Sequence, residues 1–298
     1  MNLIALLVAL ALERLATHWL HLREPHWFAR YFEWALGRFG GLHGARVVIV
    51  ALIFTLLPVL PVIAVSIAFS GGLAGLIYIA FAALVLVLSL GPRDLKEETD
   101  EYCAALTRGD AATAASAARA LMEHDARQRL GAAPASVEDA IFVQANNRIF
   151  GVTFWFLVSG PAGAWLFRVS DLMRRQAVME HRELIEHAAH DFDFVHALQA
   201  IHGVLAWLPA RLLAIGYALA GSFDAAFASW RALMGHRLSG FFEDNDVLLV
   251  HVGRGALAGG ETAASDLEHC RAALRLVWRS FLIWLVVVSV LVLVGRIV

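Results

Sequence analysis

The sequence has little charge. Only 17% of its 298 residues are Asp, Glu, Lys or Arg, whereas an average soluble protein has about 25%. A soluble globular domain needs more charge than this to cover its surface, and a disordered chain has far fewer apolar residues. Hydrophobic residues make up 59% of the chain, and the mean hydropathy is +0.65. The composition therefore predicts a multi-pass membrane protein with modest water-exposed parts.

Lysine and cysteine are also scarce. Lys96 is the only lysine, and no glycine-rich phosphate loop precedes it. The chain has 24 basic and 26 acidic residues, so no basic excess exists to attract nucleic acid. Cys103 and Cys270 have no metal-ligand spacing, and we expect free thiols. Motifs of serine hydrolases, dinucleotide-binding enzymes, kinases and zinc proteases are missing, so we predict neither a cofactor nor a covalent or redox mechanism.

Long uncharged runs predict the membrane helices. No charged residue occurs from Val47 to Pro92, and Ser70-Gly71-Gly72 divides this run into halves that can each cross the hydrocarbon. Pro58 and Pro61 are expected to kink the first half. The apolar N-terminus predicts another span, with an amphipathic anchor as its alternative. The predicted spans are about 1–20, 47–68, 73–90 and 280–295.

Two further apolar stretches leave the number of spans open at four or six. Residues 150–167 contain Gly160-Pro161 and predict a spanning, broken or re-entrant helix, while residues 201–221 contain Pro209 and Arg211. The resulting fold is an all-α, multi-pass integral membrane protein with a helical cytoplasmic portion. Its predicted parts are a transmembrane part at 1–92, a cytoplasmic helical segment at 93–149, a core at 150–221, and an amphipathic segment with the last span at 222–298.

The basic residues predict the orientation, because cytoplasmic loops are rich in Lys and Arg. The loop before the hairpin contains five arginines, and residues 93–149 contain seven basic residues. Both therefore lie on the cytoplasmic side, and the N-terminus lies outside. Within 93–149, residues 95–121 are predicted to be helical. The Ala-rich run 111–120 suits a water-exposed helical hairpin, and Ser136 begins a helix at Val137 through a capping box.

Three polar clusters are candidates for chemistry. The first runs from Asp139 to Arg148, where amides and a guanidinium at the mouth of an apolar stretch suit a phosphate or carboxylate. Its structural alternative is helix capping, with Arg148 paired to Asp139 or Glu138. The second is the intramembrane Arg211, either functional or paired structurally, for example with Asp171.

The third cluster is rich in histidine and acids, and lies between His181 and His196. Glu183 and His187 are four residues apart, so one helical face can hold a metal ion. The pattern is not His-Glu-x-x-His, and solvated helix faces commonly have this composition. The preferred interpretation is therefore a solvated face without a metal.

Several spaced motifs resemble the AmpE proteins over essentially the whole chain. The motifs are Gly91-Pro92-Arg93-Asp94-Leu95, Asn146-Asn147-Arg148-Ile149-Phe150-Gly151, Phe154-Trp155, Gly160-Pro161-Ala162-Gly163-Ala164, Leu166-Phe167-Arg168 and Leu208-Pro209-Ala210-Arg211-Leu212. The resemblance implies a bacterial inner-membrane protein linked to β-lactamase induction. It also implies a functional link to AmpD, the amidase that recycles muropeptides.

AmpE resembles in turn the CobD/CbiB synthases, which use ATP to join an aminopropanol phosphate to a corrin carboxylate. Their Gly-Arg-Asp-Thr motif is replaced here by Met122-Glu123-His124-Asp125, and two of their Glu positions fall on Asp139 and Val143. Their Asn falls on Gln144, and their Asp-Gly on Asn147-Arg148. ATP with Mg²⁺ needs carboxylate ligands, so the resemblance implies a retained scaffold without the synthase chemistry.

Three hypotheses follow. The first is a non-enzymatic sensor or regulator that binds an anionic ligand such as a muropeptide or a nucleotide-like molecule. The second is an ATP-dependent amide-forming enzyme of the CobD/CbiB type, and the third is a scaffold or permease. Under the first, the predicted ligand-binding residues are Arg93, Asp94, Asp139, Gln144, Asn146, Asn147, Arg148, Trp155, Arg168, Asp171 and Arg211.

Overall fold

The computed structural model describes residues 26–39, 44–69, 75–90, 95–122, 136–184, 192–234, 244–258 and 265–295. The elements within these ranges are helices, and no strand occurs among them, which confirms the predicted all-α class. Within the same ranges, four helical segments are long and apolar enough to cross a membrane: Ala45–Ala68, Val137–Ala177, Phe194–Ala220 and Asp266–Leu291. The apolar helix Ile77–Ser89 is shorter. The chain is therefore a multi-pass membrane protein, and its predicted span at about 1–20 lies outside the described residues.

In chain order, the described α-helices are α1 (His26–Phe39), α2 (Ala45–Leu56), α3 (Leu60–Ala68), α4 (Gly75–Ser89), α5 (Leu95–Arg108), α6 (Ala111–Met122), α7 (Val137–Gln144), α8 (Gly151–Leu184), α9 (Phe192–Ala220), α10 (Phe223–Met234), α11 (Asp244–Leu257) and α12 (Asp266–Leu293). The chain forms two compact units. Unit 1 comprises 1–92 and 151–205, and unit 2 comprises 93–150 and 206–298.

Unit 1 packs its first helices and α4 against the long helix α8. Aromatic side chains also contribute to the packing of unit 1, where Phe32 on α1 lies 6.3 Å from Phe194 on α9, centroid to centroid. The Tyr31 hydroxyl donates a 3.0 Å hydrogen bond to the carbonyl of Phe54. The Trp165 indole likewise donates a 3.0 Å hydrogen bond to the carbonyl of Pro58. Both polar groups thus have a hydrogen-bond acceptor inside an apolar unit.

Proline and glycine interrupt the apolar helices of unit 1 where the sequence predicts it. A 3₁₀ turn at Leu57–Val59 separates α2 from α3, and prolines occur at 58 and 61. Helix α8 is broken at Gly160, which has φ 67° and ψ −155°, immediately before Pro161. A residue with a Cβ rarely adopts this backbone conformation, and proline removes a helical hydrogen bond. The stretch 150–167 is therefore a broken helix.

Unit 2 is built around the short helix α7, which contacts α5, α6, α11 and α12. The helix begins at Val137 as predicted, and Ser136 Oγ accepts a hydrogen bond from the Asp139 amide at 3.2 Å. Gly253 packs directly on the Phe142 ring, where a Cβ would lie 2.7 Å from the nearest ring atom. The Tyr217 hydroxyl donates to the Phe142 carbonyl at 3.1 Å.

The predicted helix over 95–121 is two helices, α5 and α6. Gly109 has φ 70° between them, a left-handed conformation that suits glycine at a helix end. Asp110 then caps α6, because its Oδ1 accepts from the Thr113 amide at 3.1 Å and its Oδ2 accepts from the Thr113 hydroxyl at 2.6 Å. These bonds lower the pKa of Asp110. The result is a helical hairpin, as the Ala-rich composition of 111–120 indicates.

Candidate functional site

The predicted motif Asn146-Asn147-Arg148 lies in a π-helical turn, Ala145–Phe150, that joins α7 to α8. All three side chains are buried. A π-turn is rare and is often found at functional positions. It accommodates one more residue per turn than an α-helix, which changes the faces on which the following side chains lie. The turn therefore places a concentrated polar segment inside unit 2.

Arg148 is neutralised within unit 2, but by a residue that sequence spacing does not indicate. Its Nη1 atom lies 2.7 Å from Glu98 Oε2 on α5, and its Nε donates to Gln144 Oε1 at 2.9 Å. The Gln144 amide nitrogen in turn donates to the Leu121 carbonyl at 3.4 Å. This chain of contacts connects the π-turn with the α5–α6 hairpin.

The two acids at the start of α7 have other partners. Asp139 is buried and meets the Arg254 guanidinium through two contacts of 2.7 Å. Glu138 lies 3.3 Å from His269 Nδ1 on α12. The alternative pairing of Arg148 with Asp139 or Glu138 is thus replaced by Glu98, because each α7 acid is occupied by a residue of α11 or α12.

The Asn146 side chain in the π-turn has a buried oxygen atom without a hydrogen-bond donor among the described residues. Its amide nitrogen lies 3.5 Å from Asn147 Oδ1, and its own buried Oδ1 has no hydrogen-bond partner among the described residues. A buried acceptor without a donor costs about 1–3 kcal/mol.

Arg211 lies on α9 and contacts several neutral groups. Its Nη1 atom donates to the Trp207 carbonyl at 2.9 Å and to Asn245 Oδ1 at 2.8 Å. Its guanidinium carbon also lies 4.1 Å from the centre of the Trp207 ring, a cation–π contact that offsets part of the desolvation of the charge. The charge is therefore supported by an amide, a carbonyl and a ring.

A cavity of about 370 Å³ opens between α5 and α6. It is lined by Glu98, Glu101, Ala112, Thr113, Ser116, Ala117 and Ala120, and neither Arg148 nor Arg211 is part of the lining. The ionisable residues of the lining are acidic. This cavity does not suit the anionic ligand predicted from the sequence.

Unit 1 contains a different constellation, on α8 just after its apolar stretch. Asp171 is completely buried, and three guanidinium groups reach its carboxylate. Arg174 Nη2 lies 2.8 Å from Oδ1, while Arg175 Nε and Arg168 Nη1 lie 2.8 Å and 3.2 Å from Oδ2. We call Arg168, Asp171, Arg174 and Arg175 the arginine cluster.

His202 on α9 completes the surroundings of the arginine cluster. Its Nε2 atom lies 4.0 Å from Asp171 Oδ1, and its Nδ1 atom lies 3.1 Å from the Ser170 hydroxyl. Phe167 packs on the imidazole, with ring centroids 5.1 Å apart. The ligand-binding residues predicted from the sequence include Arg168 and Asp171 but not Arg174, Arg175 or His202. The i, i+3 and i+4 spacing of the charged residues around Asp171 was the available signal.

Trp155 lies in unit 1 and has a structural contact, because its indole donates to the Leu205 carbonyl at 2.9 Å. Gly163 packs against the Trp155 carbonyl, which a Cβ would approach to 2.4 Å. Arg93 and Asp94 lie outside the described residues. So do the side chains of the His-rich segment from 181 to 191, and the described part of the chain contains no group of three potential metal ligands.

The two cysteines are buried free thiols. Burial raises the pKa of the Cys103 thiol, although the Arg271 guanidinium acts in the opposite direction. A thiol with a raised pKa is a poor nucleophile at neutral pH. Cys103 is therefore part of the packing of unit 2.

Comparisons with known proteins complete the description of the site. A family model described as regulatory signalling modulator protein AmpE matches residues 1–298. The cobalamin biosynthesis protein CobD of Stutzerimonas stutzeri (strain A1501) is 30% identical over 220 residues, covering 68% of this chain and 70% of that protein. The protein of the same name from Chromobacterium violaceum is 27% identical over 158 residues, covering 52% of this chain and 48% of that protein. No solved structure matches.

Proposed function

The chain belongs to the AmpE family, and from that premise we propose that it is a regulatory protein of the bacterial inner membrane that binds a small anionic ligand. The ligand is a muropeptide or a nucleotide-like molecule. Its binding links peptidoglycan recycling, and hence AmpD, to the induction of β-lactamase. The N-terminus lies outside, and the main polar segments lie in the cytoplasm.

The observation that carries the proposal is the convergence of Arg168, Arg174 and Arg175 on Asp171. A guanidinium group has five N–H donors, and one carboxylate accepts about four hydrogen bonds. Asp171 therefore holds three donor-rich groups close together in unit 1. Guanidinium groups arranged in this way are the usual protein partners of carboxylates and phosphates.

The position of the arginine cluster also suits a ligand that arrives from water. Arg174 and Arg175 follow the apolar stretch of α8, and their side chains are 11% and 15% exposed, whereas Asp171 is fully enclosed. The two arginines thus have an accessible edge, while their shared carboxylate is protected. His202 beside Asp171 adds another group that can carry positive charge.

Binding to the purified full-length chain in nanodiscs tests this proposal. A muropeptide is titrated into the wild type and into the variants Arg174→Gln and Arg175→Gln. A lost charged hydrogen bond is worth at least about 1.4 kcal/mol, so the affinity should fall about tenfold or more in each variant. Arg119→Gln is the matched control, because Arg119 is exposed on α6. Equal affinities in all four proteins would refute the arginine cluster as the binding site.

A second candidate function is ATP-dependent amide formation, which is favoured by the similarity to two proteins named for cobalamin biosynthesis. In this chain Asp139 contacts Arg254 and Glu98 contacts Arg148, so two acids of unit 2 already serve as ion-pair partners. Mg²⁺-ATP is titrated into the same nanodiscs. Tight binding together with corrinoid-dependent turnover would establish the enzyme and exclude the regulatory function.

A cellular readout separates the regulator from a scaffold or permease. Six residues of unit 2 also stay predictions as ligand-binding residues: Asp139, Gln144, Asn146, Asn147, Arg148 and Arg211. If the chain is only a scaffold, Arg174→Gln, Arg148→Ala and Arg211→Ala leave β-lactamase induction unchanged at equal protein levels. If it is a ligand-binding regulator, Arg174→Gln lowers induction and Arg119→Gln does not.

A further inference from the structure

Helix α10 has an apolar face that no described residue covers. Phe223, Phe227 and Met234 are 53%, 45% and 71% exposed. At about 100° per residue these three positions fall within an arc of about 40°, and Trp230 lies beside them. The Phe223 and Phe227 rings are nearly parallel, with centroids 5.9 Å apart. The exposed face is therefore a continuous aromatic stripe along the helix.

Another face of α10 is fixed tightly to α11 by small residues. Ala226 is fully buried, and a Cβ on Gly255 would lie 2.5 Å from Ser229 Oγ. The Ser222 amide donates to the Ala256 carbonyl at 2.8 Å. The orientation of α10 is thus set by close backbone packing, so its aromatic stripe cannot turn inward.

The chain itself indicates what covers the stripe. Helix α10 begins three residues after Ala220, where a segment long and apolar enough to cross a membrane ends. That segment has exposed apolar side chains too, including Ile215 and Leu219. Because only Gly221 and Ser222 separate the two helices, α10 starts at the depth where the span leaves the hydrocarbon.

The charges flanking the stripe fit the same depth. Arg231 is exposed, and its guanidinium carbon lies 4.9 Å from the centre of the Phe227 ring. Aromatic and cationic side chains on neighbouring faces of one helix are typical of helices that lie at lipid headgroups. Asp224 and Ala228 occupy the remaining exposed side, which has no large apolar group.

We propose that α10 lies in the plane of the membrane at its surface. Phe223, Phe227 and Met234 enter the boundary between headgroups and acyl chains, and Arg231 contacts the lipid phosphates. The partner of this surface is therefore the phospholipid bilayer crossed by the preceding span. The helix holds unit 2 against the membrane through side chains that the spanning helices do not provide.

Spin labels on the full chain test this inference. Phe223→Cys and Phe227→Cys are labelled and reconstituted in nanodiscs of phosphatidylethanolamine and phosphatidylglycerol, with Ala228→Cys as the control on the water-facing side. Power saturation compares contact with oxygen, which is concentrated in lipid, and with a water-soluble nickel chelate. The unsubstituted chain is the blank, because Cys103 and Cys270 are buried.

We expect the relative accessibility to oxygen and to the nickel chelate to reverse between two faces of the same helix. Labels at 223 and 227 are relaxed more by oxygen, and the label at 228 is relaxed more by the nickel chelate. Similar, water-like values at all three positions would overturn the proposal. So would labels at 223 and 227 that are protected from both reagents, since a protein partner would then cover the stripe.

Discussion

The two units handle buried charge differently. Unit 2 pairs its ions one to one, with Arg148 on Glu98 and Arg254 on Asp139. Unit 1 gathers three arginines on Asp171. A one-to-one pair satisfies both partners and needs no function to explain it. The cluster instead brings three guanidinium groups close together on one carboxylate, an arrangement that suits a carboxylate or phosphate ligand. This convergence is why the binding proposal concerns unit 1.

The ion pairs of unit 2 also differ between themselves. The Arg148 side chain is 6% exposed, whereas that of Arg254 is 50% exposed. Water competes strongly for an exposed guanidinium, so such a pair contributes little to stability. A buried pair is costly to break because the remaining charge stays desolvated. We therefore expect substitutions to destabilise the protein most at the arginine cluster, less at the buried pair and least at the half-exposed pair.

The largest effect is expected for Asp171→Asn. Removing the shared carboxylate leaves three guanidinium groups close together, and breaking a buried ion pair costs about 3–5 kcal/mol of unfolding free energy. Denaturant unfolding in detergent measures the loss. Asp139→Asn is the comparison in unit 2, and its effect should be smaller because Arg254 can turn to water. Equal losses in the two variants would remove the distinction between cluster and pair.

The next effect is the coupling between Glu98 and Arg148. We expect each of Glu98→Gln and Arg148→Gln to be destabilising, and the double variant to be less destabilised than the sum of the two. The coupling energy should be about 1.5–3 kcal/mol, as for hydrogen bonds between charged groups. A double-mutant cycle by denaturant unfolding measures it. Strictly additive losses would show that the 2.7 Å contact contributes nothing specific to unit 2.

Local sequence signals predicted the local features of this fold. Ser136 indicated the start of α7, and Gly160-Pro161 indicated the break in α8, because capping and backbone geometry depend on a few adjacent residues. The uncharged run after residue 46 likewise indicated the span Ala45–Ala68, whereas the helix of its second half, Ile77–Ser89, is shorter than the predicted span at 73–90. The π-turn was not predicted, since no residue pattern in the chain distinguishes it from an ordinary helical turn.

Contacts between residues far apart in the chain could not be predicted from the sequence. Glu98 and Arg148 are 50 residues apart, and Asp139 and Arg254 are 115 apart. Nothing in their neighbourhoods selects these partners over other acids and arginines. The arginine cluster is the opposite case, because Arg168, Arg174 and Arg175 all lie three or four residues from Asp171. Its helical spacing was visible, but a charged run usually indicates a solvated face.

A smaller effect, of opposite sign, is expected at Asn146 in unit 2. Replacing it with Leu, which has the same number of side-chain heavy atoms and the same branching, removes the buried oxygen that lacks a donor, and we expect a gain of about 1 kcal/mol. Both this variant and its matched control, Asn147→Leu, lose the long 3.5 Å contact between the two side chains. Asn147→Leu should be destabilising, because it leaves the unmatched Asn146 oxygen buried. Thermal unfolding in detergent compares them. Destabilisation of the Asn146 variant would mean that its oxygen has a partner in solution, such as a bound ligand.

The smallest effect concerns a neutral group in unit 1. Burial raises the pKa of Tyr31 from 10.0 to about 12. The protonated form of Tyr31 is thus favoured in the folded state. Its contribution to the free energy of unfolding is complete below pH 10 and is lost as the pH rises toward 12. Arginines stay charged throughout this window, so the arginine cluster does not contribute to the loss.

Tyr31→Phe removes this titration together with the hydrogen bond to the Phe54 carbonyl. We expect the variant to be about 0.5–1.5 kcal/mol less stable at pH 8 but to lose less stability than the wild type between pH 10 and 12. Thermal midpoints in detergent across this range measure the difference. Tyr102→Phe is the counterpart in unit 2, where burial also raises the tyrosine pKa. If Tyr31→Phe keeps the wild-type alkaline slope and Tyr102→Phe flattens it, the alkaline sensitivity belongs to unit 2.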